Sequence, residues 1–205
     1  MTGFAARERA ALAELMASVG PDAPTLCAGW TTRDLAAHLV VRATRADAAA
    51  GIVIPALAAH ARRVQDRVAA TDWPGLLERV RRRPWWAALA DEPVNRVEYF
   101  IHHEDVRRAR DGWQPRELPE QLSAALWSRV RMLARLALRR TPAVVRVHAP
   151  GFGSVTAGKG GPEVELTGPP QELILFLSGR QAHARVDLTG PERVTARMRT
   201  ARYGI

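Results

Sequence analysis

Trp30-Thr31-Thr32-Arg33-Asp34-Leu35-Ala36-Ala37-His38-Leu39 is the stretch whose reading decides the fold. Thr31 and Asp34 stand three residues apart, the spacing at which a hydroxyl and a carboxylate each satisfy the other's free backbone N–H at a helix start, although Asp is a weaker partner there than Glu. The helix begins at Thr31 or Thr32 and runs through Leu35, Leu39, Val40 and Val41 to about Ala50. Ala36 and Ala37 keep the surroundings of His38 small, so a second helix can approach that imidazole closely. Upstream, Phe4, Ala11, Leu12, Leu15, Met16 and Val19 recur at spacings of three and four over residues 4–19, the stripe of an amphipathic helix. Gly20-Pro21 stops it, and Pro24 keeps the connection irregular.

Downstream, a third helix is expected from Pro55 to Ala70 after Gly51, and a short one over 75–83. A fourth long helix opens at Pro93, a residue suited to the first helical position, and ends near Asp111-Gly112. It carries Val97, Phe100, Ile101 and Val106 inward. A fifth follows Pro119 with Leu122, Leu126, Val130, Leu133 and Leu136 as its apolar stripe. The rhythm changes after Thr141-Pro142. Val144, Val145 and Val147 alternate as a strand, Pro150-Gly151 turns into a second at Phe152–Thr156, and a Gly-rich loop at 158–162 leads to a third at Val164–Thr167. A helix from Gly168-Pro169-Pro170 bears Leu173, Ile174, Phe176 and Leu177 and closes at Gly179. A strand over Ala184–Leu188 and a helix over Pro191–Thr200 complete the chain. The expected class is α + β: an up-and-down helical bundle over 1–141, then a small α+β domain over 142–205.

Composition sets limits on function. At 205 residues, 47% hydrophobic and 25% charged, the chain can bury a core and is not disordered as a whole. A single cysteine, Cys27, excludes an intrachain disulfide framework and a four-cysteine zinc ribbon. In Leu26-Cys27-Ala28-Gly29-Trp30 it reads as a packed small side chain rather than a nucleophile. Trp30, Trp85, Trp86, Trp113 and Trp127 read as core or helix-junction anchors. No apolar run approaches the roughly 18 residues of a membrane span, and the polar, charged start from Met1 to Arg9 argues against a secretory signal. The expected location is the cytoplasm. A net charge of +9 raises nucleic acid as a partner. However, 29 of the 30 basic residues are arginines spread along the whole chain, and the densest run, Arg81-Arg82-Arg83, sits where a helix end favours cations. Nucleic acid is therefore not expected.

Two segments carry chemistry. Glu98 and His102, four residues apart in Glu98-Tyr99-Phe100-Ile101-His102, lie on one helix face one turn apart, close enough to share a metal ion. If the helix bearing His38 faces this one, His38 supplies a third ligand. Two imidazoles and a carboxylate suit Zn²⁺, Ni²⁺ or Fe²⁺ with an open position, and bundle cores commonly assemble such sites from facing helices. The competing reading makes His38 a hydrogen-bonded core histidine and Glu98/His102 an ordinary pair on a solvated face. His103 points about 100° away from His102 and reads as a polar rim residue.

The stretch Trp30–Leu39 resembles the first signature of the DinB-like bundle proteins, and Glu98-x-x-x-His102-x-x-Asp105-Val106 resembles the second. Gly168-Pro169-Pro170-Gln171-Glu172-Leu173 with Ser178-Gly179-Arg180 is similar to the C-terminal domain of one actinobacterial branch, that of the mycothiol-dependent maleylpyruvate isomerases. There a metal-binding bundle precedes a small domain related to sterol carrier proteins. The resemblance implies that His38, Glu98 and His102 hold a divalent metal, zinc before nickel or iron. It further implies that Asp105, one turn beyond His102, orients a ligand.

The implied chemistry is mycothiol-dependent isomerisation or S-transfer on a small electrophile, because metal-bound sulfur favours the thiolate. Water activation by the same metal is a second route. Arg42, one turn after His38, and Arg180 in the C-terminal domain are candidate receptors for substrate carboxylates. The expected partners are thus a small thiol and an electrophilic substrate, with no membrane, the chain acting as a monomer or homodimer. The rival class is a non-catalytic protein that holds a metal or a small ligand.

Overall fold

The computed structural model describes residues 3–45, 57–82 and 92–203, with backbone only over 92–96. Expectations placed on Gly51, Pro55, Arg83, Trp85 and Trp86, and on the tail of the second helix to Ala50, lie outside the described residues. The chain divides into two compact units, Met1–Trp113 and Gln114–Ile205.

In the first unit, α1 (Phe4–Val19) ends at Gly20, whose φ of +86° reverses the chain while its N–H bonds to the Met16 carbonyl. The loop that follows is tied to the next helix by hydrogen bonds from Thr32 Oγ1 to the Gly20 carbonyl and from Arg33 N to the Pro21 carbonyl. Helix α2 (Thr32–Thr44) opens on the complete capping box, with Thr31 N donating to Asp34 Oδ2 at 2.9 Å and Thr31 Oγ1 accepting from Asp34 N at 3.4 Å. Helices α3 (Ala58–Ala69) and α4 (Trp73–Arg81) follow. The latter begins two residues earlier than the hydrophobic spacing suggests, because Asp72 caps it by accepting from Gly75 N at 3.0 Å. The Arg33 guanidinium donates to the Ala69 and Thr71 carbonyls, fastening α2 to the end of α3. Helix α5 (Glu92–Arg107) lies against α1, α3 against α2, and α4 against both α1 and α2. Leu12, Met16, Leu35, Leu76 and Val106 are wholly buried.

Helix α5 stops at Arg107 rather than near Asp111-Gly112. Arg108 is almost fully buried, paired with Glu104 at 2.6 Å and stacked over the Trp113 ring at 4.5 Å, and this anchor pulls the chain out of the helix before Gly112, φ +75°, turns it.

In the second unit, α6 (Glu120–Ala137) packs on α7 (Pro170–Leu177) and on the sheet. Composition changes at 142, where the strands begin, but the compact unit starts earlier and includes α6. Leu122, Leu126 and Val130 are buried as expected; Leu136, assigned to the same stripe, is instead 42% exposed. The sheet has the order β2-β1-β3-β4, formed by β1 (Val144–Ala149), β2 (Gly153–Gly158), β3 (Glu163–Thr167) and β4 (Asp187–Thr189). β1 and β2 form an antiparallel hairpin, and β3 returns parallel to β1. Val145, Val147, Val155, Val164 and Leu166 alternate inward, while α7 is largely buried and apolar apart from Gln171 and Glu172. Gly158, φ +97°, brings the chain so close to the Ala143 carbonyl that no Cβ would fit. The fourth strand is shorter than the expected 184–188 span. Arg185 N donates to the buried Glu172 carboxylate at 2.8 Å, so a 3₁₀ turn (Gln181–His183) comes first and ladder pairing starts at Asp187. Helix α8 (Glu192–Thr200) closes the unit, with Met198 as its buried residue. No helix among the described residues is long and apolar enough to cross a membrane.

Candidate metal centre

Helix α2 presents His38 from its second turn, a position set by the Thr31 cap. Helix α5 presents Glu98 and His102 from successive turns of one face. The three side chains converge: Nε2 of His102 lies 3.3 Å from Glu98 Oε1, and Nε2 of His38 lies 3.8 Å from the same oxygen. One potential ligand atom from each falls within 4.8 Å of the other two. The imidazole rings of His38 and His102 stand edge to face, 5.4 Å apart, and Trp30 packs against His38 at 5.0 Å. Both histidines are 7% exposed and the Glu98 side chain 28%, so solvent reaches the cluster from the Glu98 side.

Asp105, fully buried one turn beyond His102, accepts from His102 Nδ1 at 2.9 Å. The same carboxylate oxygen takes a hydrogen bond from the Cys27 thiol at 3.2 Å, and Cys27 Sγ stands 3.9 Å from His102 Nδ1. Cys27 is therefore no mere packing residue in a loop; it is part of the site. Leu26 N donating to the Asp105 carbonyl at 3.0 Å holds that loop against α5. Nothing in the local sequence around Cys27 signals this, because the contact spans more than seventy residues of chain.

Electrostatics arrange positive charge between two carboxylates. Burial alone would raise the Glu98 carboxyl, but hydrogen bonds with His102 and His38, with Arg42 nearby, hold it well below the ordinary carboxylate range. Burial likewise disfavours a charged His102, yet the hydrogen bonds to Asp105, Cys27 and Glu98 outweigh it and raise that imidazole well above its ordinary value. At His38 burial wins, and the ring is held below the ordinary histidine value despite its contact with Glu98. The pattern fits a cation site. With Nδ1 of His102 committed to Asp105, Nε2 is aimed at the cluster, where a divalent ion would compete with a proton for one lone pair.

Arg42 Nε lies 3.2 Å from Glu98 Oε1, so this arginine borders the cluster. Arg180 belongs to the second unit, where its guanidinium donates to the carbonyl of Ser178. His103 is a correction: it is buried rather than on a polar rim, with Nδ1 3.0 Å from Glu8 on α1. That pair lies apart from the three converging ligands and clamps α5 to α1. Sequence reasoning missed Glu8, whose partner is ninety-five residues away.

No family model matches the chain, and no curated protein does. Among solved structures, a histidine-to-alanine mutant of the mycothiol-dependent maleylpyruvate isomerase aligns with a TM-score of 0.63 at 14% identity, over 92% of this chain and 96% of that one. A structure of the isomerase itself aligns with a TM-score of 0.61 at the same identity and coverage. The chain shares their fold along nearly its whole length.

Proposed function

We propose that this chain, folded as the mycothiol-dependent maleylpyruvate isomerase is, uses His38, Glu98 and His102 to hold a divalent metal and catalyses a thiol-dependent isomerisation or S-transfer on a small electrophile. The observation that carries the reading is the convergence of two imidazole nitrogens and a carboxylate from separate helices, backed by a carboxylate that orients one of them. The donor set is of the nitrogen-and-oxygen kind that zinc takes, with nickel and iron as the next fits. When bound, such an ion supplies an open position at which a small thiol loses its proton near neutral pH.

The chain's own residues do the rest. Asp105 keeps His102 in the tautomer and orientation that leave Nε2 available. Trp30 and the buried faces of α2 and α5 limit water around the cluster. Arg42, at its edge, offers a guanidinium to a substrate carboxylate and steers the electrophile toward the thiol. A small thiol held at the cluster would supply the nucleophile for a reversible addition to a conjugated carbon, which permits isomerisation, or for an addition that is retained, which is S-transfer.

Protein purified without an affinity tag and assayed with mycothiol and maleylpyruvate tests this reading. Expected are one bound metal per chain, turnover that requires the thiol, and loss of both metal and turnover in His38→Ala. Absence of metal from the purified protein together with failure to take up added zinc overturns the reading. A metal-loaded chain that leaves thiol and substrate unchanged redirects it to the carrier class.

A further inference from the structure

The second unit contains a cavity of about 700 Å³, within the size range of small-molecule sites, between the end of α6, the connection 139–142 and α8. Leu133, Leu136 and Ala137 line it from one face of α6, and Val194 and Met198 line it from the facing side of α8. Tyr203 adds an aromatic wall, its hydroxyl bonded to the Thr141 side chain. This floor explains why Leu136, at a core position by periodicity, is 42% exposed: it faces the cavity rather than the protein interior.

The charged part of the lining is uniformly cationic. Arg139, Arg140, Arg193, Arg197 and Arg202 border the cavity, and among the described residues no aspartate or glutamate does. Several arginines elsewhere have a carboxylate partner: Arg42 has Glu98, Arg82 has Glu78, and Arg107 and Arg108 share Glu104. Among the described residues none of the five cavity arginines has a carboxylate partner. Clustered guanidinium groups repel one another, and their planar forks match the oxygens of carboxylate and phosphate.

We propose that this cavity is a binding site for a small organic dianion, a phosphate monoester or dicarboxylate on a short apolar body. The anionic groups meet the arginines, and the body lies on Leu133, Leu136, Met198 and Tyr203. A concave apolar floor favours a compact molecule over an extended polyanion, which would need a flat or grooved basic surface without such a floor. The site is built within the second unit and does not depend on the metal centre.

Calorimetric titration of the full chain with 1-naphthyl phosphate tests the proposal, with naphthalene-1,4-dicarboxylate as a second probe to separate phosphate from carboxylate preference. Expected are one site per chain and binding at least about ten-fold tighter than that of inorganic phosphate or neutral 1-naphthol, since each control lacks one half of the recognition. The double variant Arg140→Gln/Arg197→Gln weakens the better probe at least about ten-fold, whereas Arg199→Gln, on α8 but outside the lining, leaves it unchanged. Leu136→Trp, which fills the floor without altering charge, gives the same loss and covers the case in which the double variant folds poorly. Metal-stripped and zinc-loaded protein bind the probe alike, so failure here is distinguishable from failure of the metal reading. Three outcomes overturn the proposal: inorganic phosphate equalling the better probe, unchanged affinity in the lining variants, or duplex DNA binding that the double variant abolishes while neither probe binds.

Discussion

Replacing Asp105 with asparagine is the sharpest perturbation of the proposed metal centre. Asp105 is wholly buried, and its Oδ2 takes hydrogen bonds from His102 Nδ1 at 2.9 Å and from Cys27 Sγ at 3.2 Å. Asparagine preserves volume and one acceptor oxygen but removes the charge, reducing a charge-assisted hydrogen bond to a neutral one of about half its strength. His102 then loses the partner that orients its ring and makes Nε2 more basic. Carboxylates in this role are worth about 10–100-fold in metal affinity, or about 1.4–2.7 kcal/mol. The assay is competition for zinc against a chromophoric chelator, run beside thermal unfolding of the metal-free proteins. Asp105→Asn is expected to release zinc at a chelator concentration at least about ten-fold lower than wild type. Zinc affinity equal to wild type refutes the reasoning. A fall in stability without a fall in affinity makes Asp105 a packing residue only.

Two further predictions follow from local geometry. Thr31→Ala removes the hydroxyl half of the capping box that starts α2, and urea unfolding should show a loss of about 1 kcal/mol with unchanged slope; no measurable loss would mean that packing alone sets the start of α2. Tyr203 is held above the ordinary tyrosine value of 10.0 by burial, against smaller opposing effects of the Thr141 hydrogen bond and Arg197. The folded state thus prefers the neutral phenol, and this contribution to stability is complete below pH 10 and is lost as pH rises through the raised value. Ultraviolet titration of Tyr99→Phe, which leaves Tyr203 as the sole tyrosine, should show ionisation above pH 10, and a midpoint at the ordinary value contradicts the burial argument.

Some elements were readable because their causes are local. The start of α2 follows from Thr31 and Asp34, three residues apart, and the end of α1 from Gly20-Pro21. Where a local signal and a distant contact competed, the contact won. Periodicity extended α5 toward Gly112, but the burial of Arg108 against Glu104 and Trp113 ended it at Arg107. Alternation placed a strand over 184–188, but Glu172, thirteen residues upstream, captured the Arg185 N–H.

The proposed metal centre divides along the same line. Sequence alone determined that Glu98 and His102 share a helix face, since an α-helix brings every fourth residue round to the same side. It also determined that His38 sits two turns into a capped helix with small neighbours. Only the tertiary structure decided that the two helices bring these groups within 4.8 Å of one another, that Cys27 joins them, and that His103 turns away to Glu8. It likewise decided that Leu136 faces a cavity ringed by arginines rather than a core. Backbone geometry and hydrogen bonding act over a few residues and are written in their order. Which distant surfaces meet depends instead on how whole helices and sheets bury their apolar faces together, a property no short stretch of chain contains.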